Sequence, residues 1–169
     1  PADVLRPVHA CAGVGAVGVE LTPLVSLEIL RYCAEEVERQ QDTPTAVLWM
    51  VRAWLEATKD YGLTKPMSIA LVESWGQAVE PHENKHGFRH TAVRVGARLC
   101  PDWQDLPRLL AQWVEHLPRI TPEEAYRAFE EIHPFRDGNG RTGKIILNYL
   151  KGTLDHPVMP PNFFNCANP

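Results

Sequence analysis

Apolar residues recur at helical spacing along most of the chain. Over residues 24–41 they stand at Leu24, Leu27, Leu30, Ala34 and Val37, with Glu and Arg opposite. Thr22-Pro23 ahead of them reads as a cap followed by proline at the first helical position. A second helix is predicted from near Thr45 to about Asp60; its apolar start suggests burial, and Gly62 stops it. A third covers residues 65–80, with Ile69, Leu71, Val72 and Trp75 as core candidates. Residues 101–117 show Leu106, Leu109, Leu110, Trp113 and Leu117 on one face. Thr121-Pro122-Glu123-Glu124 is a capping box that opens a helix delivering Ala125, Phe129 and Ile132 to the core. In the last run, Ile145, Ile146, Leu147, Tyr149 and Leu150 point all round, which predicts a buried central helix ended by Gly152 and Pro157. The expected fold is an all-α globule around that helix.

Residues 81–96 break the helical pattern. Thr91-Ala92-Val93-Arg94-Val95 alternates weakly and ends at Gly96, as a short strand would. His82-Glu83-Asn84-Lys85-His86 spells H-E-x-x-H, but a zinc site of that form needs a helix to put both imidazoles on one face. Pro81 and Gly87 bracket it too tightly, and a zinc peptidase is rejected.

Composition adds exclusions. The 169 residues suit one domain, with 44% hydrophobic and 22% charged residues as in ordinary soluble globules. A net charge of −4 argues against a general nucleic-acid binder. Cys11, Cys33, Cys100 and Cys166 lack C-x-x-C spacing, and buried reduced thiols in the cytoplasm are the expectation, although the even count leaves disulfides open. Residues 1–21 are small and apolar around Cys11 to Val19, too short to span a membrane and weak as a signal peptide. They are expected to be a flexible or extended lead-in to a single domain over residues 22–169, with no membrane association. Pro160-Pro161-Asn162-Phe163-Phe164 is expected to pack back on the body.

The chemistry concentrates in residues 133–144, His-Pro-Phe-Arg-Asp-Gly-Asn-Gly-Arg-Thr-Gly-Lys. Gly138 and Gly140 allow successive backbone N–H groups to turn inward as an anion nest, and the helix that follows adds its free N–H groups and positive dipole end. Arg141 and Lys144 oppose that dipole at a cost of roughly 0.3–1 kcal/mol each, which a bound polyanion would offset. His133 and Asp137 add acid/base and metal chemistry. A dinucleotide fingerprint on Gly138, Gly140 and Gly143 fails because residues 126–132 read as helix rather than strand. A P-loop fails because its final hydroxyl position is Ile145, and an EF-hand fails with Thr142 at position six and Asn148 at position twelve.

The stretch resembles the signature of the Fic family, H-x-F-x-(D/E)-G-N-G-R-x-x-R. Seven of its eight specified positions stand here as His133, Phe135, Asp137, Gly138, Asn139, Gly140 and Arg141; the eighth, Arg in the family, is Lys144. The resemblance covers roughly residues 65–150. It implies an all-α Fic fold with a small β-hairpin flap, and transfer of AMP from ATP to a Ser, Thr or Tyr hydroxyl of a target protein. His133 would be the general base, Asp137 would hold Mg²⁺, the nest with Asn139 would cradle the α-phosphate, and Arg141 would stabilise the pyrophosphate leaving group. Phe135 is expected to anchor the loop in the core. Gly87, Phe88, Arg89, Thr91 and Val93 resemble the flap that holds the target backbone. Family members with other phosphate-containing donors commonly carry Ala at the first glycine, so Gly138 and Gly140 favour nucleotidyl transfer. Many Fic proteins also carry an inhibitory helix, (S/T)-x-x-x-E-(G/N), whose Glu pairs with the second signature Arg. The only Glu followed by Gly or Asn here is Glu83, with Val79 four residues earlier, so a separate antitoxin chain or no regulation is expected. The location implied is cytoplasmic, or a host cytoplasm for a delivered effector. The competing expectation, raised by Lys144, is a weak or inactive nucleotide-binding or interaction module.

Overall fold

The computed structural model describes residues 25–161. Helices α1 (Leu27–Arg39), α2 (Pro44–Gly62) and α3 (Ile69–Val79) precede a two-stranded antiparallel hairpin, β1 (Arg94–Val95) and β2 (Arg98–Leu99). Helices α4 (Leu106–His116), α5 (Pro122–Ile132) and α6 (Asn139–Lys151) follow. The expected all-α architecture with one small hairpin is what the chain adopts. The lead-in, the Thr22-Pro23 cap, Cys11, Cys166 and residues 162–169 lie outside the described residues. Helix α1 begins later than the Thr22 cap would put it, because Ser26 accepts a hydrogen bond from the Ile29 amide as N-cap.

Helix α6 is the axis of the packing. Every residue from Arg141 to Tyr149 is buried, and Ile145, Ile146 and Leu147 lie in the interior. Helix α5 packs beside it, and α2 and α3 close the other sides with Met50, Trp54, Val72 and Trp75. The buried Trp indoles are satisfied: Trp54 donates to the Leu154 carbonyl and Trp113 to the Ala125 carbonyl, each at 2.9 Å. Gly76 of α3 exists for Phe135, whose ring fills the space that a Cβ would need. Phe135 is thereby the loop anchor expected of it, fully buried and stacked between Phe88 and Phe129.

The capping box forms as predicted, with Thr121 and Glu124 exchanging side-chain and backbone hydrogen bonds. The hairpin is shorter than the alternation of residues 91–95 suggests. Pairing runs from Arg94 opposite Leu99 to Val95 opposite Arg98, with Gly96 at φ 59° in the turn. Among the described residues, no helix is long and apolar enough to cross a membrane. Cys33 and Cys100 are buried free thiols, and burial pushes Cys33 up to about 12, which makes it inert.

Candidate active site

The turn between α5 and α6 is held from three directions. Asn139 spans it from within, accepting from the Phe135 amide at 2.9 Å and donating to the Phe135 carbonyl at 3.0 Å. Asn84 grips it from the segment after α3, donating to the Gly76 and Asp137 carbonyls at 2.9 Å each. Arg89 grips it from the hairpin side: Nε donates to the His133 carbonyl at 2.8 Å, and its other nitrogens reach the Thr91, Pro101 and Ile132 carbonyls. The Arg89 amide also donates to the Pro134 carbonyl. Within this frame His133 closes α5 in the left-handed conformation, φ 50° and ψ 61°, and Gly138 opens α6 at φ 72°. A non-glycine residue at positive φ costs on the order of 1–2 kcal/mol, which the surrounding hydrogen bonds sustain. Burial holds the His133 imidazole below its usual range and therefore neutral near pH 7.

The sequence residues thus fall into two groups. His133, Asp137, Gly138, Gly140, Arg141 and Lys144 converge at the start of α6. Asn139, Phe88 and Arg89 build the frame: Phe88 packs on Phe135, and Arg89 is buried with its donors on main-chain carbonyls. Gly87 sits in the turn before them, at φ 84°. Thr91 and Val93 lie in the approach to the hairpin, where the Val93 carbonyl accepts from the Cys100 amide. Asn84, which the sequence placed only in a rejected zinc motif, is a structural member of the site. The His82–His86 stretch is a series of turns, and His82 meets the Trp49 ring edge-on.

Arg141 and Lys144 do not face water. The Arg141 guanidinium is fully buried, 2.9 Å from Asp42 and 3.3 Å from Glu80, and Lys144 Nζ lies 2.6 Å from Glu36 Oε1. Carboxylates of the chain itself, three of them on or near α1 and α3, offset the cations at the helix start. Glu36 is fully buried and further gripped by the Arg39 fork at 2.8 and 2.9 Å and by Gln40. The Gln40 amide also comes so close to Gly140 that a Cβ there would lie 2.9 Å from its nitrogen. Glu36 escaped the sequence reading because Tyr32 and Val37 occupy the positions at which the family pattern has Ser or Thr and Gly or Asn. Only its helical register, facing inward beside Cys33 and Val37, could have marked it.

Asp137 differs from these residues in being open. Its side chain is 58% exposed, with Oδ1 accepting from the Gly138 amide at 2.6 Å and 3.9 Å from Arg141. Among the described residues there is no cluster of three metal-ligating side chains. A single open carboxylate beside an anion nest is nevertheless a donor set that fits Mg²⁺, which takes one or two carboxylates and completes its shell with phosphate and water.

An α-helical domain built on a His-turn-glycine loop and a buried signature helix is a defined class, and the comparisons give it a name. Residues 68–150 match the model of the Fic/DOC family. These residues form a Fic/DOC family domain. It is 34% identical over 88 residues to "Protein adenylyltransferase Fic" of Drosophila erecta, covering 47% of this chain and 18% of the relative. It is 29% identical over 147 residues to the protein of Aquifex aeolicus named "Probable protein adenylyltransferase", covering 75% of this chain and 46% of the relative. The chain therefore spans less than half the length of these relatives. The fold is similar to that of IbpAFic2 covalently tethered to Cdc42, with TM-score 0.59, 22% identity, 76% of this chain covered and 46% of that one.

Proposed function

We propose that this domain transfers AMP from ATP to a hydroxyl of a target protein, with His133 as general base. The observation that carries this reading is the locked turn. It presents a neutral imidazole, an open carboxylate and the free amide end of α6 on one loop that three separate side chains immobilise. The hydroxyl proton passes to His133 as the oxygen attacks the α-phosphate, and pyrophosphate leaves. The glycine nest receives the α-phosphate, and Arg141 and Lys144 face the leaving charge once they part from their carboxylates. Asp137 would hold Mg²⁺, which supplies charge neutralisation along the phosphates. The hairpin, with Val95 and Leu99 exposed at its end, offers edges for the target backbone.

In the form described, the α1 carboxylate at Lys144 stands where a terminal phosphate would bind. A terminal phosphate would compete with Glu36 for the donors of that ammonium, and in this reading Glu36 restrains transfer from within the chain. This supports internal restraint over the two outcomes expected from the sequence pattern, a separate antitoxin chain or no regulation. Incubation with ATP labelled at the α- or γ-phosphate, Mg²⁺ and a lysate tests the reading. Label carried from the α-position supports AMP transfer; label from the γ-position replaces it with phosphoryl transfer.

A further inference from the structure

A buried carboxylate, Glu130, lies beside the His133 ring. His133 Nδ1 and Glu130 Oε1 both lack a hydrogen-bond partner among the described residues, and the other carboxylate oxygen, Oε2, is 4.0 Å from Nδ1. Glu130 lies three residues earlier on α5, one turn beneath the imidazole. The space for its carboxylate is made by Gly143 of α6, where a Cβ would lie 2.6 Å from Glu130 Oε1 and 2.9 Å from the Tyr126 ring. A glycine inside a helix costs roughly 1 kcal/mol relative to alanine. Here it leaves room for a buried carboxylate that makes no hydrogen bond of its own at that oxygen.

We propose that Glu130 is a positioning residue for His133, its carboxylate accepting the Nδ1 proton so that Nε2 is left unprotonated to take the proton of the attacking hydroxyl. This rests on the proposed role of His133 as base. As the hydroxyl oxygen bonds to phosphorus, its proton goes to Nε2, and the imidazolium so formed keeps its Nδ1 proton turned to the Glu130 carboxylate. No proton need leave the pair during transfer, and it is returned to solvent afterwards. A side-chain rotation of Glu130 that shortens the 4.0 Å separation to about 3 Å makes the hydrogen bond. The main-chain carbonyl of Glu130 is also near the ring and helps to orient it. The carboxylate adds the charge that a carbonyl lacks.

The electrostatic surroundings bear on both partners. Lys144 of α6, Arg39 of α1 and Arg98 of the hairpin favour the ionised form of Glu130, whereas burial and Glu36 oppose it, and the Tyr126 hydroxyl lies nearby on α5. Burial, the largest effect, pushes Glu130 up to about 7. Arg89 and Arg98 disfavour the imidazolium, and Asp137 favours it. After burial, Lys144 is the largest influence on Glu130.

The experiment uses Glu130→Gln and Glu130→Asp in the full chain, with ¹⁵N chemical shifts of His133 read first. In the parent the neutral ring is expected as the Nδ1-protonated tautomer. In Glu130→Gln, whose amide oxygen is a weaker acceptor than a carboxylate, the share of that tautomer should fall at pH above about 7, where Glu130 of the parent is ionised. Transfer by Glu130→Gln should show a kcat lower by about 10²-fold with KM for ATP within about twofold, and Glu130→Asp should recover part of it. An unchanged tautomer share in a folded Glu130→Gln protein overturns the positioning role, whatever the activity. If neither parent nor variants transfer AMP while the shifts move as expected, the His–Glu pair stands and the transferase reading fails.

Discussion

Lys144 Nζ lies 2.6 Å from Glu36 Oε1, and both side chains are almost wholly removed from water. The pair joins α1 to α6 across 108 residues of sequence. Burial, with a smaller push from Arg39, drives the Lys144 ammonium below its ordinary range, and Glu36 is the largest influence that holds it charged. The same contact that keeps the ammonium protonated is the one a terminal phosphate would have to displace in the proposed reaction.

Glu36→Gln should release that ammonium. Glutamine keeps the shape and one acceptor but not the charge, so ATP should bind tighter by on the order of tenfold, equivalent to about 1.4 kcal/mol. Thermal stability should fall, since breaking a buried pair on one side typically costs about 3–5 kcal/mol and Gln recovers only part of it. Calorimetric titration with ATP·Mg²⁺ checks the affinity. An unchanged dissociation constant would mean that Glu36 does not compete with nucleotide.

Replacing His133 by Ala should lower AMP transfer by about 10²–10⁴-fold and leave nucleotide affinity nearly unchanged, because the imidazole acts on the attacking hydroxyl. Alanine keeps the left-handed strain at that position, so folding should be only slightly affected. Single-turnover labelling in the Glu36→Gln background reads the effect with the restraint removed. Labelling as fast as that background's would remove His133 from the reaction.

The helices and the signature loop were legible because each carries a local rule. Thr121 and Glu124 cap by spacing, and the all-round apolar residues of α6 demand burial wherever the helix sits. What the sequence hid is what depends on distant partners. Nothing local to Glu36 says that it faces Lys144, and nothing local to Gly76 says that the Phe135 ring fills its missing side chain. Arg89 shows the same limit in the other direction. Its place beside a flap-like pattern pointed to target binding, but burial and four carbonyl partners make it a clamp on the His133 turn.

Arg89→Lys should therefore destabilise the fold before it affects recognition. A lysine cannot fork to the His133, Thr91 and Pro101 carbonyls together, and each buried carbonyl left without a donor costs about 1–3 kcal/mol. A loss of roughly 2–4 kcal/mol is expected, seen as a lower urea midpoint with the same slope. Stability equal to the parent's, with labelling of the target alone reduced, would return Arg89 to the target-binding surface.

Glu130 should also leave a signature in stability against pH. Its folded value is raised from 4.5 to about 7 by burial, so between those limits the folded protein holds a proton that the unfolded chain has released. Stability from this group is present in full below about pH 4.5 and is lost as pH rises through about 7. Glu130→Gln, which cannot ionise, should lack that loss and gain on the parent across the window. Parallel stability curves for the two proteins from pH 5 to about 8 would show that the carboxyl is not shifted upward.

Lys144 is the one departure from the family signature, and its exchange for arginine separates two accounts of it. An ammonium attracts a terminal phosphate as a point charge but does not orient it through two parallel hydrogen bonds, as a guanidinium does. A misplacement of about 1 Å can cost on the order of 10²-fold in rate. Restoring arginine should therefore speed transfer, provided the fork is free to reach phosphate. In the parent it is not free. Glu36 is pinned by Arg39 and Gln40 independently of Lys144, and an arginine there would pair with the waiting carboxylate. Lys144→Arg alone should then be no faster than the parent. Combined with Glu36→Gln, it should raise turnover over Glu36→Gln alone by about 10–10²-fold, with little change in ATP affinity. Turnover of the four proteins with ATP as donor decides the matter. A double variant no faster than Glu36→Gln would mean that orientation of the terminal phosphate does not limit transfer. Lys144 would then be fitted to a donor with a different group at that place, or to a domain that binds nucleotide without transferring it.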